Sequence, residues 1–143
     1  MTDGTFSPID DGDEQTLGPQ AVLLCGFSSE EIDTIESLLQ KIGAGDHRIL
    51  RCTETMLGRR LGEALETAEE DPPLPPDKLP RAMVLSGLEG RQINELLKRF
   101  PSTDLVRPIF STTTPSNLEF TVRELLVHLI EEHRAMMEQK ARE

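Results

Sequence analysis

Four short apolar runs, each followed by residues at helical spacing, set out the chain between residues 21 and 138. The first is Ala21-Val22-Leu23-Leu24-Cys25, closed by Gly26. Its brevity and its glycine stop predict a buried strand over 20–26. Ser28 and Glu31 then have the spacing of a capping box, in which hydroxyl and carboxylate each close a free backbone donor. Ile32, Ile35, Leu38, Leu39 and Ile42 follow every three or four residues, and Gly43 stands where a C-terminal cap belongs. The pattern predicts a helix over 29–42.

The alternation repeats three times. Residues 46–53, with Ile49, Leu50 and Cys52, read as a second strand. Leu57, Leu61, Ala64, Leu65 and Ala68 mark a helix over 54–70, which meets Glu69, Glu70 and Asp71 at the negative end of its dipole. Residues 82–85 form a third strand, and Ile93, Leu96, Leu97 and Phe100 a helix over 89–100 that Pro101 stops. Residues 107–112 form a fourth strand. A second capping box, Thr121 with Glu124, opens a helix whose apolar stripe runs from Val122 through Leu125, Leu126 and Leu129 to Met136 and Met137, near residue 138. His133 lies on that stripe, so it is expected to rim the core. His128 is expected in solvent, and Phe120 beneath the preceding loop.

Strand and helix in alternation predict an α/β fold: a four-stranded, mostly parallel sheet, order 2-1-3-4, with helices on both faces. This is a shortened doubly wound layout of the receiver or flavodoxin kind. The domain is expected over 20–138. Residues 1–19, polar and punctuated by glycine and proline, read as a flexible acidic tail, residues 71–80 as a proline-rich internal linker, and 139–143 as a flexible end.

Charge narrows the partners. The formal net charge is −11, and the first twenty residues hold five acids and no base, which leaves −6 on the rest (−11 less −5). Such a surface repels phosphate backbones and anionic membranes. Without Trp, Tyr or a basic run the chain has little to stack on bases, so nucleic acid is not expected as a partner. No stretch approaches the ~20 apolar residues of a membrane span. The N-terminus lacks the layout of a signal or transit peptide, and two cysteines do not make a disulfide scaffold. A cytoplasmic location is expected, or an organelle stroma if the chain is a trimmed mature form.

Leu24 to Ser28 with Glu30 and Glu31, then Phe110 to Asn117, Phe120-Thr121, and Glu124 through His133, resemble an uncharacterised family of small bacterial α/β domains with the patterns G-F-S-x-E-E and T-P-x-N-x-x-aromatic. The resemblance implies a compact α/β domain and transfers no catalytic residue. A looser likeness is to degenerate receiver domains. Receivers carry acids after strand 1 and a phosphoacceptor Asp after strand 3, where this chain has Cys25-Gly26 and Ser86.

Candidate chemistry is sparse. His128 and His133 frame two glutamates but lie five residues apart, about 140° around a helix, so they cannot share one ion. No metal site and no cofactor are expected. No serine stands in a G-x-S-x-G turn, and His47 lies at the far end of the sheet from Cys25. Open α/β sheets bind at the carboxyl ends of their strands. That rule singles out Gly26, Phe27, Ser28, Ser86, Thr112, Thr113, Thr114 and Asn117 as a candidate binding edge, with residues 112–117 as a surface loop that serves either as a structural turn, Asn117 bonding its own backbone and Pro115 fixing the turn, or as an exposed recognition loop. Cys25 and Cys52 end neighbouring strands and read as two buried thiols, with a redox pair as the alternative. The expectation is a monomer or weak dimer without an active site of its own, an interaction or regulatory module with a protein partner. The alternative is a sensor of a phosphorylated or carboxylated metabolite at the strand ends.

Overall fold

A computed structural model describes residues 18–66 and 78–142. The expected acidic tail up to residue 17, the end of the helix expected over 54–70, and most of the proline-rich linker lie outside the described residues.

The elements run β1 (Ala21–Cys25), α1 (Ser29–Lys41), β2 (Arg48–Arg51), α2 (Glu54–Leu57), α3 (Leu61–Ala64), β3 (Ala82–Ser86), α4 (Gly90–Arg99), β4 (Ile109–Thr112) and α5 (Val122–Arg142). They form one four-stranded sheet of order β2-β1-β3-β4. This is the expected strand order and an α/β fold.

All five residues of β1 and of β3 are buried, because helices cover both faces of the sheet. Successive side chains point to opposite faces, which divides the core in two. Ala21, Leu23, Cys25, Leu50, Cys52, Ala82 and Val84 meet Met56, Leu61, Leu65, Val122, Leu125, Leu126 and Leu129 on one face. Val22, Leu24, Met83 and Leu85 meet Ile32, Ile35, Leu39, Ile93, Leu96 and Phe100 on the other. Thus α2, α3 and α5 cover the first face, and α1 and α4 the second.

The sheet is mostly parallel, as expected, with one antiparallel pair. β1 pairs parallel with β2, and β3 parallel with β4, but β1 and β3 at the centre run antiparallel. β3 starts beside Cys25, which pairs with Ala82, at the end of the sheet where β2 finishes. The connection therefore returns to the end it left. The helix expected over 54–70 is broken instead at Gly58–Arg60, so no single long pass carries the chain across. The break is itself paired: Leu61 N donates to Phe120 O (2.7 Å) and Val122 N to Arg59 O (2.9 Å). Residues spent on these bonds cannot continue a helix.

Two ends also shift. α4 stops at Arg99, and Pro101 opens a 3₁₀ turn over Phe100–Thr103. On α5 the buried stripe stops at Leu129; no residue from Ile130 to Ala141 is buried. His133 is exposed and does not rim the core. His128 is exposed as expected, and its ring stacks on Phe120 at 4.9 Å.

Candidate functional site

The antiparallel centre splits the expected binding edge. Gly26, Phe27 and Ser28 leave β1 at one end of the sheet, beside Arg81. Ser86, Thr112, Thr113, Thr114 and Asn117 leave β3 and β4 at the other end, beside Ala21. These two groups share no edge. The expected edge placed them together because it took β1 and β3 to run the same way.

At the first end the groups are already engaged. Gly26 sits at φ 77°, and a Cβ there would lie 2.9 Å from Pro80 O, so the turn requires glycine. Ser28 Oγ accepts from Glu31 N (3.2 Å), and Glu31 Oε1 accepts from Ser28 N (2.9 Å), the expected capping box. Arg81 then closes over this turn. Its guanidinium donates to both oxygens of Glu31 (3.1 and 2.8 Å), to Gly26 O (3.2 Å) and to Val106 O (2.7 Å). It also lies 4.2 Å from the centre of the Phe27 ring. Arg81 holds the Glu31 carboxyl below its usual range, with the Ser28 amide adding to the effect and burial opposing it. The arrangement is a clasp between the start of α1 and the start of β3. It turns the charge that could attract an anion inward, onto a carboxylate. Residue spacing gave no sign of Arg81, because its partners lie 50 and 55 positions away.

At the second end the loop after β4 is folded on itself. Asn117 Oδ1 accepts from Thr114 N (2.8 Å), Thr114 Oγ1 from Asn117 N (3.1 Å), and Asn117 Nδ2 donates to Thr112 O (2.9 Å). Thr112, Thr113 and Asn117 are buried, Asn117 completely. The exposed recognition loop expected over 112–117 is therefore reduced to Pro115 and Ser116, with Thr114 half-buried. Polar residues here satisfy backbone groups at a strand exit. His47 is nearby and buried, its Nε2 3.3 Å from Gly87 O, and it lines an open groove with Glu36, Gln40, Gly45 and Ile49.

Cys25 and Cys52 are buried neighbours. Leu24 pairs with Arg51, and Cys52 N donates to Leu24 O (3.0 Å), so the two cysteines follow one step further on adjacent strands. Both belong to the same face of the core. The Cys25 thiol is pushed up by its hydrogen bond to Cys52 and by burial, while that bond draws Cys52 down.

The remaining exposed apolar groups gather on helix. Val127, Met136 and Met137 of α5 are 47%, 52% and 52% exposed, and Val106 stands alone at 71%. Among the described residues no cluster of three or more His, Cys, Asp or Glu could hold a metal, and no helix is long and apolar enough to cross a membrane.

Neither a curated protein nor a solved structure matches the chain. The match to a protein family covers β3, α4, β4 and most of α5, including Thr114-Pro115-Ser116-Asn117 but not Gly26-Phe27-Ser28: over residues 81–136 the chain is similar to a domain of unknown function (DUF3783).

Proposed function

We propose that this chain is a non-catalytic protein-interaction module, and that the outer half of α5 is its contact element. One observation carries the reading. Past Leu129 the helix continues to Arg142, about 18 Å at 1.5 Å per residue, with none of these side chains buried up to Ala141. Only Ile130 and Glu132 of this stretch are half-buried, so beyond them the helix rests on propensity, which is marginal in water. Met136 and Met137 give it two adaptable apolar side chains of the kind used on helix-recognition surfaces. The proposed partner is a protein offering an apolar groove to that helix. A reducing, cytoplasmic setting suits a chain whose two cysteines lie buried as thiols.

The test is quantitative capture from native lysate by the wild-type chain and by Met136→Glu with Met137→Glu. A stoichiometric partner lost by the variant, with melting temperature unchanged, is the expected result. Equal capture by both, or no stoichiometric partner for either, contradicts the proposal.

A further inference from the structure

The two halves of the chain repeat each other at one spacing. The 61 positions from Ala21 to Ala82 also carry the β1–β2 register, Ala21↔Arg48 through Leu24↔Arg51, onto the β3–β4 register, Ala82↔Ile109 through Leu85↔Thr112. The same step takes Gly26 (φ 77°) to Gly87 (φ 72°), and Gly43 (φ 83°) to Asp104 (φ 62°). Asp104 is the only non-glycine with positive φ among the described residues.

Local bonds repeat as well. The Ser28–Glu31 capping box recurs as Glu89–Gln92. Thr53 Oγ1 accepts from Met56 N (3.3 Å), and Thr114 Oγ1 from Asn117 N (3.1 Å). A Cβ on Gly26 would lie 2.9 Å from Pro80 O, and one on Gly87 2.9 Å from Pro19 O. The sequence carries a faint trace: Pro19, Ala21, Leu24, Gly26 and Ile32 recur as Pro80, Ala82, Leu85, Gly87 and Ile93.

Contacts between the halves are reciprocal, as a two-fold axis requires. Ala21 pairs with Ser86 while Cys25, the counterpart of Ser86, pairs with Ala82, the counterpart of Ala21. Leu23 pairs with its own counterpart, Val84. Arg60 bridges to its own counterpart, Thr121, and the flanking bonds, Leu61 N to Phe120 O and Val122 N to Arg59 O, exchange under the same step.

We infer that residues 18–66 are a diverged second copy of the unit matched at 81–136, and that the β1–β3 seam is the self-pairing surface of that unit, carried within one chain. A single copy supplies only two paired strands, and a bare β3 edge would seek a partner of its own geometry. The partner that fits is a second copy. The copies have diverged where they hold the first glycine's carbonyl: Arg81 reaches Gly26 O, whereas His47 faces Gly87 O. Gln20 and Gln92 stand where the other copy has Arg81 and Glu31.

The intact chain tests this by transplanting the ion pair. Gln20→Arg with Gln92→Glu, measured in a double-mutant cycle by denaturant unfolding, is expected to show favourable coupling, roughly three- to tenfold in the unfolding constant. The reference is the Arg81→Gln, Glu31→Gln cycle, expected to show the same sign. No coupling at 20/92 beside clear coupling at 81/31 overturns the inference. Should the double variant not fold, Gly26→Ala and Gly87→Ala decide. Unfolding constants raised by factors within about threefold of each other support the equivalence. Factors differing tenfold or more overturn it.

Discussion

Arg81→Ala is the substitution whose cost the structure specifies best. It removes two bonds to Glu31, bonds to Gly26 O and Val106 O, and the contact with Phe27, all in one side chain. The pair is well shielded, with side chains 21% and 26% exposed, so it is not an ordinary surface ion pair. A hydrogen bond to a charged group is worth about 1.5–3 kcal/mol, and the ring contact about 0.5–1 kcal/mol. Opposing terms are the rotamer entropy regained by the long side chain and water that can solvate the freed Glu31. A net loss of about 2–3 kcal/mol follows, or a melting temperature lower by roughly 6–12 °C for a domain of this size. The loss must depend on pH. Arg81 depresses the folded-state pKa of Glu31. The Glu31 contribution is therefore complete above the unfolded carboxylate value of about 4.3 and disappears as pH falls through the lower folded value. Urea unfolding of wild type and Arg81→Ala at pH 7 should show the full gap, and the gap should narrow below about pH 4. A loss under 0.5 kcal/mol at pH 7, or a gap indifferent to acid, refutes the clasp.

Asn117→Ala should cost about 2 kcal/mol, because a fully buried amide bracketing Thr112 and Thr114 leaves backbone groups unpaired, and partner capture by the folded fraction should persist. Denaturant unfolding reads the first and capture the second; unchanged stability with lost capture would make Asn117 a contact residue instead. Native Cys25 and Cys52 should resist thiol reagents for as long as the chain stays folded. Mild oxidation near the unfolding midpoint should trap an intramolecular disulfide, two hydrogens lighter by mass, and rapid labelling of the native chain would contradict this. Removing residues 131–143 should change stability by less than about 1 kcal/mol, since no described side chain there is buried; unfolding on truncation would show that the outer half of α5 packs on the domain.

Strand order and element types were legible because short apolar runs and helical spacing encode burial directly. Ala21 to Cys25 is uniformly apolar since both its faces are covered, and Ser28 with Glu31 announces a helix start from within four residues. The antiparallel pairing of β1 with β3 was not legible. The chain leaves β2 through a break at Gly58–Arg60, and that break is held by bonds to Phe120 and Val122, some sixty residues on and remote from any local pattern. The candidate binding edge divides between two ends of the sheet for the same reason, since it was inferred from direction. Asn117 was legible as a loop residue bonded to its own backbone, and its partners are that backbone. Arg81 was invisible as a clasp because its partners are remote in sequence. The repeat was present all along in Pro19-x-Ala21-x-x-Leu24-x-Gly26 and Pro80-x-Ala82-x-x-Leu85-x-Gly87, but substitutions such as Val22 for Met83 and Cys25 for Ser86 keep burial while erasing identity.

Hydrogen exchange on the captured complex tests the interaction reading most directly. Free, the amides of residues 131–142 should exchange fast, because a helix whose side chains are exposed from His133 to Ala141 frays from its end. Bound, that stretch should become protected at least tenfold, with β1, β3 and the clasp around Arg81 unchanged. Protection confined to the strand ends near Thr112 or Gly26, with residues 131–142 still exchanging freely, would contradict the account.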